Sequence, residues 1–166
     1  MSRVRVHGII DMVILKVPDE IEKMRAGNVI VAEILNEIRE RAKPGVTTRE
    51  LDLLSEELCR RWKVRPIFKG YRGYPFALCT SVNGEVVHGM PSDRPLLAGD
   101  ILSLDFGVDY KGYCGDAAIT IPIGQVSAEA TRLMRVTEES LYDGIGQARA
   151  GNRLGDISAA VQERVE

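Results

Sequence analysis

From Asp19 to Ala42, apolar residues recur at Ile21, Met24, Val31, Ile34, Leu35, Ile38 and Ala42. That spacing predicts a helix with one apolar stripe, and Lys43-Pro44-Gly45 ends it. Thr47 and Glu50 then have capping-box spacing ahead of Leu51, Leu54, Leu58 and Trp62, so a second amphipathic helix follows directly. After Pro66 the period changes to two. Phe76 to Val82, Asn83-Gly84 and Glu85 to His88 read as a tight hairpin, which would set Cys79 directly across from His88 on one face. A second hairpin is expected from Ile101 to Tyr110 and from Tyr113 to Ile121, with Lys111-Gly112 as its turn. One face of its first strand carries Leu102, Leu104, Phe106, Val108 and Tyr110; the other carries Ser103, Asp105, Gly107 and Asp109. The returning strand adds Cys114, Asp116, Ala118 and Thr120 to that second face. Asp105 then lies opposite Ala118, with Asp116 as its diagonal neighbour, about 7–8 Å away at Cα. A turn one residue longer would separate the two acids.

Ser127 caps a third helix with apolar positions at Ala130, Leu133, Met134, Leu141, Ile145 and Ala148, and Asp156 to Glu166 begins a fourth. This pair echoes the first at one constant offset: Ala42-Lys43-Pro44-Gly45 matches Ala148-Arg149-Ala150-Gly151, and Glu50-Leu51 matches Asp156-Ile157. An internal repeat would make the first unit two helices followed by strands, and the second unit helices alone.

The chain has 166 residues, enough for one domain with its own core. Its 22 Lys+Arg against 24 Asp+Glu give a net charge of -2, which supplies no whole-chain attraction to nucleic acid or anionic membrane. No apolar run reaches about 18 residues, so no membrane span is expected. Three cysteines without metal-type spacing fit a reducing compartment, and the expected location is the cytoplasm.

Asp105 and Asp116 on one polar face admit several readings. A shared-proton pair of the aspartic-protease kind needs acids on separate loops. Asp105-Phe106-Gly107 spells a kinase metal motif but lacks its Gly-rich loop and His-Arg-Asp partners. Two acids on one hairpin fit better as ligands of divalent ions, and the bland alternative is a pair of solvated strand residues. Cys79 opposite His88 offers a thiolate and a base, without a third orienting group. Tyr71 and Tyr74 would wall a small apolar pocket or simply pack, and Cys59 fits core packing.

The segments Gly70-Tyr71-Arg72-Gly73-Tyr74-Pro75, Val82-Asn83-Gly84-Glu85-Val86-Val87-His88-Gly89-Met90-Pro91 and Gly99-Asp100-Ile101-Leu102-Ser103-Leu104-Asp105 carry a family resemblance. With Gly112-Tyr113-Cys114-Gly115-Asp116 and Ile21-Glu22-Lys23-Met24-Arg25, they resemble the type I methionine aminopeptidases, in order and with family spacing. The resemblance implies an α/β (α+β) pita-bread fold of two halves related by a pseudo-twofold axis. Here 1–11 would be an extension outside the pattern, 12–126 the first half with antiparallel hairpins covered by helices, and 127–166 the start of the second half.

It also implies that Asp105 and Asp116 ligate a dinuclear divalent metal site (Co, Mn, Fe, Zn or Ni). His88 would be the catalytic group that contacts the substrate amide. Phe68, Tyr71, Tyr74 and Cys79 would join His88 in binding substrate, lining the pocket for an N-terminal methionine. Phe68 stands where the family commonly has Cys. The implied reaction is removal of that methionine from nascent peptide N-termini by metal-activated water.

The resemblance also implies three further ligands, a His and two Glu from the second half. No histidine follows His88, and the later glutamates fall in or beside helices. The expectation is therefore a chain inactive or very weak as a monomer, completed by its missing second half or by a homodimer. The alternative is a non-catalytic half-domain that self-associates or binds a protein partner.

Overall fold

The computed structural model describes residues 14–166; the segment 1–11 and His7 lie outside the described residues. Helix α1 spans Pro18–Arg41 and α2 spans Thr48–Trp62. Strand β1 is Arg65–Pro66, a 3₁₀ turn covers Tyr71–Gly73, and β2 is Leu78–Val82. Strands β3 (Ile101–Tyr110) and β4 (Tyr113–Pro122) precede α3 (Ala128–Gln147) and α4 (Leu154–Val165).

The two caps expected at α2 and α3 form. Thr47 Oγ1 accepts from Glu50 N at 3.2 Å while the Glu50 carboxylate accepts from Thr47 N at 2.7 Å. Ser127 Oγ accepts from Ala130 N at 3.1 Å. Each bond satisfies an amide that a helix start leaves without an internal partner.

Strand β3 is the middle of an antiparallel sheet, flanked by β4 on one side and by β1 and β2 on the other. Its pairing with β4 sets Asp105 against Ala118 and Gly107 against Asp116. Lys111 (φ 54°) and Gly112 (φ 82°) supply the two positive-φ positions of the turn between them. Along β3 the expected alternation holds: Leu102, Leu104, Phe106 and Val108 are buried against Ile30, Val31, Ile34, Leu35 and Ile38 of α1 and Leu51 and Leu58 of α2. Burying each large apolar side chain of this kind contributes about 1.5–3 kcal/mol. Helix α1 comes closest to the sheet at Gly115, where a Cβ would lie 2.7 Å from the Gly27 carbonyl carbon, so only glycine fits.

The expected hairpin of residues 76–88 does not form. Strand β2 pairs with β3 instead, which puts Asp105, not His88, across from Cys79. The physical reason lies in Asn83. Its backbone N donates to Ile101 O at 2.9 Å, its Oδ1 accepts from Ile101 N at 2.9 Å, and its Nδ2 donates to Asp100 at 2.7 Å. Asn83 is thus bound to the start of β3, and Gly84 does not take the positive φ that a type I′ turn requires. Residues 85–88 form a loop that returns along the outer edge of β2.

Helices α3 and α4 pack on each other, and α4 begins at Leu154, two residues before the expected start. Leu133, Leu141, Ile145 and Leu154 on this pair are each more than half exposed. No helix among the described residues is long and apolar enough to cross a membrane.

Candidate metal and substrate site

The polar face of β3 and β4 gathers the candidate chemistry. Asp105 and Asp116 occupy diagonal positions on it, as the Lys111-Gly112 turn dictates. Burial raises the carboxyl pKa of Asp105 first, and the charge of Asp116 adds to the rise. Asp116 is also raised by burial. Burial and the neighbouring like charge disfavour the doubly ionised pair, a cost that a cation between the two carboxylates would relieve. Two adjacent carboxylate donors therefore suit a divalent ion, although catalytic sites usually keep at least three protein ligands.

Asp116 is set by α1 as well as by its strand, because Asn28 Oδ1 accepts from Asp116 N at 3.2 Å. Ile67 also reaches this face. A Cβ at Gly107 would lie 2.6 Å from Ile67 Cδ1, so the glycine leaves space that the Ile67 side chain fills beside the acids.

Cys79 reaches the same face from β2, directly opposite Asp105. Asp52 fixes the start of that strand. Its buried Oδ1 accepts from Ala77 N at 2.8 Å and from Leu78 N at 3.1 Å. His88 arrives from the loop with φ 58°, a left-handed conformation that histidine tolerates better than most residues with a side chain. Two hydrogen bonds tie that loop to β2: Thr80 N donates to Gly89 O at 2.9 Å, and Gly89 N donates to Ser81 Oγ at 3.0 Å. The Cys79 sulfur, a His88 ring nitrogen and an Asp105 oxygen all lie within 4.8 Å of one another. The proximity expected of Cys79 and His88 is thus reached by a different route.

Tyr74 closes one side of the group. Its hydroxyl donates to Leu78 O at 3.0 Å and lies 3.2 Å from Gly89 O, bridging β2 and the loop. Burial pushes its phenol far up, and a hydrogen bond with Cys79 adds to this. The Cys79 thiol is itself raised, chiefly by burial, with Asp105 and Asp116 adding and the Tyr74 hydrogen bond opposing. A neutral thiol, not a nucleophilic thiolate, is the resting form of Cys79. Phe68 is half-buried, with its carbonyl accepting from Tyr71 N at 2.9 Å. Tyr71 is 63% exposed, with the Arg72 guanidinium over its ring. Asn28, Asp52 and Ile67 were not singled out in the sequence. A glycine among the polar-face positions of β3 was the one signal of Ile67.

An antiparallel sheet covered by α1 and α2, with paired carboxylates on its polar face, is a scaffold that comparison with known proteins places in a class. The chain belongs to metallopeptidase family M24, whose model matches residues 22–166. It is 51% identical over 156 residues to a methionine aminopeptidase from Clostridium acetobutylicum, covering 93% of this chain and 62% of that protein. Methionine aminopeptidase 1 from Bacillus subtilis is 45% identical over 155 residues, with the same shares covered. The structure of methionine aminopeptidase from Thermotoga maritima matches with a TM-score of 0.90 at 43% identity, over 93% of this chain and 62% of that one. The fold is therefore that of the pita-bread methionine aminopeptidases, and the chain spans about 62% of the length of these relatives.

Proposed function

We propose that this chain supplies the methionine-binding wall and two metal ligands of a cytoplasmic aminopeptidase that removes N-terminal methionine from peptides. The observation that supports it is the convergence of Asp105, Asp116, His88 and Cys79 on one sheet face. Asp105 and Asp116 would hold the divalent ion or ions, which when bound supply Lewis acidity and an activated water. His88, exposed at the edge of the group, is placed to donate a hydrogen bond to the scissile amide. That hydrogen bond orients the amide and stabilises charge as it develops. The neutral side chains of Cys79 and Tyr74 favour an apolar substrate side chain over a charged one. Phe68 and Tyr71 are assigned to the rim of the same pocket.

Residues 1–166 carry two of the five ligands that the resemblance implies, so the proposed activity requires the remaining His and two Glu as well. The remaining His and Glu ligands would come from a second half of the fold or, in a homodimer, be replaced by a second carboxylate pair. Hydrolysis of a Met-Ala-Ser peptide with Mn²⁺ or Co²⁺ tests this. Very weak turnover by the chain, lost in His88→Ala, is expected; equal rates for the two proteins would discard the assignment of His88.

A second reading is a non-catalytic half-domain that binds a protein partner or itself, and the exposed apolar residues of α3 and α4 favour it. Strictly monomeric elution at high concentration would count against self-association.

A further inference from the structure

We propose that Cys79, His88 and Asp105 together form a second, overlapping site for one thiophilic divalent ion of the Zn²⁺ or Co²⁺ type, which shares Asp105 with the carboxylate pair and takes Cys79 and His88 in place of Asp116. The three donor atoms already lie within 4.8 Å of one another. A tetrahedral ion with bonds of about 2.0–2.3 Å places its donors about 3.3–3.8 Å apart, so closure asks for a shift on the order of 1 Å. Side-chain rotation of the exposed His88 provides that shift.

The backbone beneath the three donors is fixed from three directions. Cys79 and Asp105 are ladder partners. Asp52 holds the start of β2. The loop carrying His88 is bound to β2 through Gly89, with Tyr74 bridging the two. Gly89 is packed so tightly that a Cβ there would lie 2.2 Å from Thr80 O.

The donor set decides the ion. One thiolate, one imidazole and one carboxylate suit borderline ions, whereas Mg²⁺, Ca²⁺ and Mn²⁺ favour all-oxygen donors. Three protein ligands with an open fourth position is also the usual count at a catalytic zinc site. On binding, the Cys79 thiol releases one proton to solvent, and thiolate plus carboxylate balance the two positive charges. An ion held this way would occupy the two residues assigned to the methionine pocket and the substrate amide. Zn²⁺ would then block peptide binding rather than support hydrolysis.

The test is Co²⁺ titration of the full chain carrying Cys114→Ser, which removes the exposed thiol and leaves Cys59 buried in the core. A thiolate-to-cobalt charge-transfer band that saturates at one ion per chain is expected. It should vanish in Cys79→Ser, weaken in His88→Ala, and bleach on adding Zn²⁺. Cobalt bound without that band, a band that survives Cys79→Ser, or no cobalt bound at all would each overturn the proposal.

Should the Cys79→Ser chain fail to fold, alkylation of the unsubstituted protein decides the question. Zn²⁺ should slow modification of Cys79 at least tenfold relative to Cys114, and equal rates overturn the proposal. The aminopeptidase reading fails separately. Mn²⁺ taken up by Asp105 and Asp116 in a chain that shows no cobalt–thiolate band removes this site and leaves that reading standing.

Discussion

Gly89→Ala probes how His88 is positioned. A methyl group at residue 89 would meet Thr80 O at 2.2 Å, Ser81 Cα at 2.7 Å and Thr80 C at 2.8 Å. All three are backbone atoms of β2, a strand buried along its length, so the loop must lift away. Lifting it breaks Thr80 N to Gly89 O and Gly89 N to Ser81 Oγ, and loosens the Tyr74 hydroxyl from Gly89 O. Each lost hydrogen bond costs about 0.5–1.5 kcal/mol, and about 1–3 kcal/mol where a buried partner is left unmet. The expected destabilisation is about 2–4 kcal/mol. At a mid-range urea slope of about 2 kcal/mol per molar, the unfolding midpoint should fall by about 1–2 M. Cys79 should also react faster with an alkylating reagent, because the loop covers it. Gly84→Ala serves as the control, since nothing lies within 4 Å of a Cβ there. An unstrained Gly→Ala change stabilises by about 0.4–1 kcal/mol through the unfolded chain. A Gly89→Ala protein as stable as the parent, or more stable, would therefore refute the reasoning.

Three further outcomes follow from the same contacts. Asp52→Ala leaves the buried amides of Ala77 and Leu78 without their acceptor and should cost about 2–4 kcal/mol by urea unfolding, with Cys79 displaced. Burial raises Asp52 above its ordinary value of 3.8 against the pull of those two amides, so its contribution to stability is full below that pH and is lost as pH rises through the raised value. Asp52→Asn keeps a carbonyl acceptor without the titration; its stability relative to the parent should increase over that window, and a pH-independent difference would contradict the assignment. Phe106→Ala, at a fully buried position on the opposite side of β3 from Asp105, should cost about 3–5 kcal/mol by the same assay, and a loss under about 1 kcal/mol would show that the core is not packed as described.

The β3–β4 hairpin was legible because one local feature decided it. Lys111 and Gly112 accept positive φ, and the turn length then fixes every opposed pair, including the diagonal of Asp105 and Asp116. Asn83-Gly84 offered the same local signal and misled, because Asn83 spends its side chain and backbone on Ile101 and Asp100, seventeen or more residues away. That competition is a tertiary effect that no window around the turn contains. The same holds for Asp52 and for Asn28, whose amide partners, Ala77 and Asp116, lie on strands or loops far along the chain. The Asn83-Gly84 pattern predicts Cys79 and His88 as partners in a hairpin that does not form, and they meet because both are delivered to Asp105. The exposed stripe of α3 and α4 was legible as amphipathic, but periodicity records only that a face is apolar, not what covers it.

Mn²⁺ uptake, followed by the loss of the free-ion resonance signal, tests the carboxylate face most directly. The parent chain and Cys79→Ser should both bind the ion, while Asp105→Asn and Asp116→Asn should each lose it, because a hard ion needs both oxygens of the diagonal pair. No uptake by the folded parent, or uptake that survives both Asn substitutions, would contradict the account of this sheet face as the metal-bearing part of an aminopeptidase.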